Sequence, residues 1–203
     1  MMKKPILNKK YNALGNDTRY FVITGGRGSG KSFAITTFLA FLTFEQGHKI
    51  LFTRYTMISA GNSIIPEFLE KLELYGIMEH FRITKDEILN ISTGSSILFK
   101  GIRTSAGNQT AALKSISGIT TWVLDEAEEL VKEEDFDKID QSVRSKAKPN
   151  RVIMILNPAT KEHWIYQRFF AGKGVNAGFN GYRDNVTYIP VSYTHLTLPT
   201  KKR

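Results

Sequence analysis

Gly25-Gly26-Arg27-Gly28-Ser29-Gly30-Lys31-Ser32 follows directly on the apolar, β-branched run Tyr20-Phe21-Val22-Ile23-Thr24. The octet satisfies the pattern G-x-x-x-x-G-K-[ST]. Its glycines let backbone N–H groups curl around phosphates, and the start of the following helix adds positive potential. That helix is expected from Lys31 to Phe44, with apolar Phe33, Ala34, Phe38, Phe41 and Leu42 and with Gly47 as its stop. Strand, glycine loop and helix in this order are the context the phosphate motif requires. Lys31 is expected to reach the β- and γ-phosphates of ATP, and the Ser32 hydroxyl to ligate Mg²⁺. Gly25, Gly26, Arg27, Gly28, Ser29, Gly30, Lys31 and Ser32 thus form the candidate nucleotide-binding set.

The same strand-and-helix alternation continues on the C-terminal side. Ile50 to Thr53 reads as a second strand, followed by a helix from about Ser63 to Tyr75 that Gly76 closes. Ile88 to Ser92 and Ile97 to Phe99 flank Thr93-Gly94-Ser95-Ser96 as a hairpin. Trp122-Val123-Leu124 is a buried strand, followed by an acidic helix and by Phe136, Ile139 and Val143 at helical spacing; Val152 to Leu156 is the last strong strand. The alternation predicts an α/β P-loop NTPase with a mostly parallel central sheet flanked by helices and joined by right-handed crossovers. The ASCE type, which carries its catalytic glutamate on an internal strand, is the kind expected.

A P-loop binds nucleotide without saying what is done with it. In Trp122-Val123-Leu124-Asp125-Glu126 two carboxylates stand where an apolar strand ends. If that strand lies beside the P-loop strand, both ends reach one edge of the sheet. Asp125 would then hold the Mg²⁺ shell beside Ser32, and Glu126 would orient or deprotonate the attacking water. Neighbouring strand residues point to opposite faces, so the two roles require the strand to end there. The competing reading is an acidic helix N-terminus, because Ala127-Glu128-Glu129-Leu130 comes next.

Arg27, inside the loop, is a candidate arginine finger in cis or a solvent-facing loop residue. Asn157, in Leu156-Asn157-Pro158, can sense the γ-phosphate and couple its loss to motion, or simply make a good turn. Glu126, Lys31, Arg27 and Asn157 are the candidate catalytic residues, and Ser32 and Asp125 the candidate metal ligands. Arg103, Lys114 and Arg144 could touch phosphate of nucleotide or DNA, or stand as solvated surface charge. His163 and Trp164 are expected to anchor a helix.

The formal charge of +9 and pI near 9.6 point to an acidic partner, although Lys201, Lys202 and Arg203 supply three of those charges at the extreme C-terminus. The absence of cysteine removes disulfides, thiolate zinc sites and cysteine nucleophiles. No leader-like or 18-residue apolar run occurs, so neither secretion nor a membrane span is expected. From about Pro190 the chain continues no pattern, and residues 190–203 are read as a non-native or disordered tail after a domain spanning 1–189.

GGRGSGKS, LDEAEE and the strand-ending LNPAT, in that order, resemble the ATPase domain of phage terminase large subunits over about residues 11 to 189. Arg54 in FTRYT, Ser63 before IIPEF, and HWIYQRFF after LNPAT are similar to further segments of that family. The resemblance implies a motor that docks on a portal, works with a small terminase subunit and hydrolyses ATP. It would thread double-stranded DNA into a procapsid as a homo-oligomeric ring in the cytoplasm of an infected bacterial host. The family's C-terminal nuclease domain is not expected here. A neighbouring subunit's basic residue would reach the nucleotide, with Lys114, Arg103 and Arg144 as candidates, and Tyr11 or Arg19 would contact adenine. A helicase, a P-loop kinase and a non-hydrolysing nucleotide- or DNA-binding assembly module remain the alternatives.

Overall fold

The structure, a computed structural model, describes residues 7–56, 60–104, 107–108, 113–158 and 160–192. Ala159 of the LNPAT stretch, residues 193–203 of the expected tail and the side chain of Ser63 lie outside the described residues.

In order along the chain, the strands are β1 (Tyr20–Gly25), β2 (Lys49–Thr56), β3 (Phe81–Ile83), β4 (Glu87–Asn90) and β5 (Ser96–Thr104). They continue with β6 (Gly107–Asn108), β7 (Thr121–Asp125), β8 (Arg151–Leu156), β9 (Gly181–Arg183) and β10 (Val186–Val191). The α-helices among the described residues are α1 (Lys31–Leu42), α2 (Ala60–Tyr75), α3 (Glu133–Asp140) and α4 (Trp164–Phe169). All ten strands join one sheet in the order β3-β4-β5-β2-β7-β8-β1-β10-β9, with β6 on β5. The run from β5 to β10 is parallel, and antiparallel strands close both ends.

Side-chain alternation divides the core into two layers. Phe21 and Ile23 of β1, Val123 of β7 and Ile153 and Ile155 of β8 face one layer with α1 and α2. Val22, Trp122, Leu124, Val152 and Met154 face the other, where Phe136 of α3 and Trp164 and Phe169 of α4 pack. The period of two along each strand produces this division, and burial on both faces explains why these strands read as continuous apolar runs.

The sheet order decides one point the sequence left open and corrects one expectation. The Trp122 strand does not neighbour the P-loop strand: β8 lies between β7 and β1. All three run parallel, so their C-terminal ends still share one edge. Val152 to Leu156 is not the last strong strand, because β10 pairs with β1 from Tyr20↔Val186 to Gly25↔Val191. Pro190 and Val191 therefore belong to the sheet, two residues past the boundary expected at 189. In α1 the small and branched residues are the most deeply buried, with Phe38 and Phe41 partly buried against the core. Ala34, Ile35, Thr36, Thr37, Leu39 and Ala40 are buried, while Phe33 is 38% exposed. A helix covered on nearly all sides selects small and branched residues for close packing, which blurs the amphipathic signal.

The hairpin across Thr93-Gly94-Ser95-Ser96 forms as expected, with Leu89 opposite Ser96. Among the described residues no helix is long and apolar enough to cross a membrane.

Candidate nucleotide site

The C-terminal ends of β1, β7, β8 and β2 bring four segments to one edge. They frame an open cleft lined by Arg27, Gly28, Lys31, Ser32, Arg54, Asp125, Glu126, Glu128, Ile155, Leu156 and Asn157. Lys31, Ser32, Arg27, Asp125, Glu126 and Asn157 thus meet in one place although up to 130 positions separate them in sequence.

The loop geometry follows from its glycines. Gly28 and Gly30 adopt φ of 73° and 81°, a region a side chain enters only with strain. Gly25 is required for a different reason: a Cβ there would lie 2.5 Å from the Val191 carbonyl oxygen and 2.9 Å from Ser29 Oγ. The loop therefore leaves β1 pressed against the end of β10. From Gly30, α1 begins with no side-chain cap, so the first-turn N–H groups of a twelve-residue helix remain open to an anion.

Lys31 is folded back over this loop. Its ammonium donates to Gly25 O at 2.6 Å, Gly26 O at 2.9 Å and Asn157 Oδ1 at 3.2 Å. Ser29 Oγ lies at 3.5 Å as a fourth, longer contact, so the charge is held where phosphate oxygens can take over the same bonds. Burial pushes the Lys31 amine below the usual lysine range, against the pull of Glu128 and then Asp125.

Asp125 is 3% exposed. Burial pushes its carboxyl up, and Arg54 opposes this: Nε and Nη2 both lie 2.7 Å from Asp125 Oδ2. Arg54 Nε is also 3.8 Å from Glu126 Oε2, and Glu67 of α2 adds a further carboxylate to the guanidinium's surroundings. The resemblance alone had singled out Arg54. That its partner would be Asp125 depends on the β2–β7 register, Arg54↔Asp125.

Glu126 leaves the strand in the left-handed region, with φ 54° and ψ 47°. For a residue bearing a Cβ this costs about 1–2 kcal/mol. It turns the Glu126 side chain out of the strand alternation while Asp125 remains buried, the separation that distinct roles require. A single 3-10 turn, Ala127–Glu129, stands in place of the acidic helix expected, and α3 starts only at Glu133. Glu126 makes no side-chain cap bond, so the helix-cap reading does not describe it.

Asn157 follows β8 directly. It accepts from Lys31 through Oδ1 and donates through Nδ2 to Glu128 Oε1 at 2.6 Å. His163 caps α4, its Nδ1 accepting from Ile165 N at 3.2 Å, and Trp164 Nε1 donates to Leu130 O at 2.5 Å. Both therefore anchor the helix as expected.

Other candidates fall elsewhere. Arg19 precedes β1 and lies at the opposite end of that strand from the loop, roughly 20 Å away at 3.3 Å per residue. Its guanidinium is committed to Asp140 Oδ1 at 2.7 Å and to the Asp140 and Val143 carbonyls, so it is not an adenine contact within this arrangement. Tyr11 is buried in the core and does not line the cleft; burial pushes its phenol up to about 12. Arg103 is exposed near the cleft-side end of β5, opposite Thr56 of β2, and Lys114 is exposed. Arg144 precedes β8 and so belongs to the far edge.

The donors present suit Mg²⁺. It takes hard oxygen ligands and is commonly held by one or two carboxylates together with waters and substrate phosphates. Ser32 and the Asp125 carboxylate on one cleft fit that pattern, whereas no group of three or more metal-holding His, Cys, Asp or Glu side chains forms among the described residues.

Residues 17–197 match the family model described as phage terminase large subunit. The chain belongs to the phage terminase large subunit family. A search of curated protein sequences gives no match. Among solved structures, it is similar to the large terminase of a thermophilic bacteriophage, with a TM-score of 0.70 and 14% identity. That match covers 98% of this chain and 48% of the other, so the chain spans about half the length of that terminase. The large terminase ATPase domain of Thermus phage P74-26 matches with TM-score 0.65 and 16% identity, over 93% of this chain and 81% of that one. The Phi-28 gp11 DNA packaging motor matches with TM-score 0.62 and 15% identity, over 95% and 59%. Other structures of the thermophilic-phage terminase are complexes with ADP or with ATP-γ-S. At these identities the structural matches establish the mostly parallel α/β fold, and the family rests on the model match.

Proposed function

We propose that this terminase large subunit family member binds Mg²⁺-ATP in the cleft and hydrolyses it to drive double-stranded DNA into a viral procapsid. The observation that carries the reading is the convergence of Lys31, Ser32, Arg27, Asp125, Glu126 and Asn157 on that one cleft. The nucleotide complexes of the thermophilic-phage terminase support ATP as the occupant. The packaging-motor relatives support the mechanical use.

Lys31 moves from the Gly25 and Gly26 carbonyls to the β- and γ-phosphates, which take over its hydrogen bonds. Ser32 and Asp125 would hold Mg²⁺, which would supply positive charge beside the phosphates. Glu126, turned into the cleft mouth, orients the attacking water and accepts its proton. Arg27 adds positive charge at the γ-phosphate from within the same chain, and Asn157 registers whether that phosphate is present.

Residues 1–189 with the end of β10 form the motor domain. The portal, a small terminase subunit and further copies of this chain in a ring are its partners in the host cytoplasm. Arg103 and Lys114, exposed on their segments, are better placed than Arg144 to reach a neighbouring subunit's nucleotide.

Steady-state ATPase activity, with and without double-stranded DNA, tests the reading in wild type, Lys31→Ala and Glu126→Gln. Lys31→Ala is expected to lose nucleotide affinity. Glu126→Gln is expected to retain bound ATP while turnover falls at least about a hundredfold, on the order of the loss of a general base. Normal turnover in Glu126→Gln would remove that residue as the base. Phosphoryl transfer to a small acceptor would favour a kinase, and ATP binding without turnover in wild type would favour an assembly module.

A further inference from the structure

Asn157 is the only side chain that hydrogen-bonds Lys31 from another strand end among the described contacts, and the sense of its amide is chemically determined. An ammonium can only donate and an ionised carboxylate only accept. Oδ1 must therefore face Lys31 and Nδ2 must face Glu128. A flipped amide would put N–H against ammonium and C=O against carboxylate.

Glu128 is itself held in place. Its backbone carbonyl lies 3.1 Å from His163 Nε2. Because His163 Nδ1 accepts from the Ile165 N–H, the proton of a neutral ring is on Nε2, which donates to that carbonyl. The same glutamate is thus tied twice to the segment after β8, once through its side chain to Asn157 and once through its main chain to His163. Trp164, bonded to Leu130 O, adds a third tie between the turn after β7 and that segment. The second carboxylate oxygen of Glu128, Oε2, is buried with no hydrogen-bond partner among the described residues.

We infer that Glu128 is a positioning residue. Its carboxylate fixes the Asn157 carboxamide with Oδ1 on Lys31, leaving the second N–H of Nδ2 as the donor available to a γ-phosphate. This rests on the proposed role of Asn157 and assigns Glu128 a task separate from that of Glu126, two positions earlier. Without the carboxylate, the amide sense would be held by the 3.2 Å Lys31 contact alone, and once Lys31 turns to the phosphates nothing in this pair would keep the Asn157 oxygen from facing the γ-phosphate. The cost would fall on steps that depend on the γ-phosphate, leaving ADP binding, which needs only the loop, Lys31 and Ser32.

The test is a double-mutant cycle with Glu128→Ala, Asn157→Ala and both together. It reads kcat for ATP together with dissociation constants for ATP-γ-S and ADP. Glu128→Ala is expected to lower kcat about tenfold, in the range typical of residues that orient a functional group. It should also reduce the preference for ATP-γ-S over ADP while ADP affinity changes less than about threefold. The double variant should fall no further than Asn157→Ala, because the two act as one unit. Glu128→Gln, which can still accept from Asn157 but can equally donate, should restore part of the loss. Unchanged kcat and unchanged ATP-γ-S preference in Glu128→Ala would overturn the proposal, as would full additivity with Asn157→Ala. Equal weakening of ADP and ATP-γ-S would also overturn it, by revealing a general structural role. If Asn157→Ala itself leaves turnover and preference intact, the sensor role of Asn157 fails and this inference fails with it. If Asn157→Ala is impaired and Glu128→Ala is not, only the positioning role is lost.

Discussion

Replacing Arg54 by Ala would leave Asp125 buried with neither guanidinium contact, both of which are 2.7 Å long. Breaking a buried ion pair from one side costs about 3–5 kcal/mol, because the remaining charge stays desolvated. The Arg54 side chain is 19% exposed, against 4% for Asp125, so solvent screens one end and the lower figure of about 3 kcal/mol applies. For a chain of this size that corresponds to a fall in Tm of roughly 6–12 °C.

The deficit also carries a pH signature. Burial raises the Asp125 pKa and Arg54 opposes the rise, so removing Arg54 lifts the folded-state value further above the unfolded one. A group with a raised folded pKa contributes stability that is present below its unfolded value and lost as pH rises through its folded value. The variant's deficit against wild type is therefore greatest near neutrality. It shrinks as pH falls towards the ordinary carboxylate range, by up to about 1.4 kcal/mol for each pH unit by which the substitution raises the folded-state value. Urea unfolding without nucleotide at about pH 7.5 and about pH 5 measures both effects. A deficit under about 1 kcal/mol near neutrality, or one of equal size at both pH values, would refute the argument that Arg54 is the main compensation for the buried Asp125 carboxylate.

Gly25→Ala must push the loop or the end of β10 aside, because its Cβ would stand 2.5 Å from Val191 O; thermal unfolding should register a loss of about 1–3 kcal/mol and nucleotide affinity should fall with it. An unchanged Tm would mean that β10 does not press on the loop as described. Burial likewise pushes His48 below its ordinary value of 6.5, while its contact with Glu45 works the other way. The stability from keeping this ring neutral is present above pH 6.5 and lost as pH falls through the lowered folded value. Unfolding free energy should therefore decline less steeply between about pH 7 and about pH 5 in His48→Asn than in wild type. The difference is about 1.4 kcal/mol for each pH unit between the folded and unfolded values of the ring. His48 precedes β2 at the edge away from the cleft, so ATPase activity at neutral pH is a control that should follow only folded fraction.

The glycine loop, the strand before it and the helix after it were legible in the sequence because their requirements are local. A positive φ needs glycine, a phosphate needs N–H groups and a lysine, and a doubly buried strand needs a continuous apolar run. Asp125 and Glu126 were legible for the same reason, as carboxylates at the end of such a run. Long-range register is not local. Only the tertiary structure decided that β8 separates β7 from β1, and that β10 with Thr187 and Pro190 in its run completes the parallel sheet. A mixed polar strand gains its burial from neighbours that its own composition does not reveal. Register likewise paired Arg54 with Asp125, and the crossing of two strand ends placed Glu128 against Asn157. Glu128 stands in an acidic stretch with no mark to separate it from Glu129 beside it. The residues proposed to bind phosphate could thus be read one by one. The partners that tune it could not, because charge and hydrogen-bond complementarity between distant segments exist only once the sheet has brought them together.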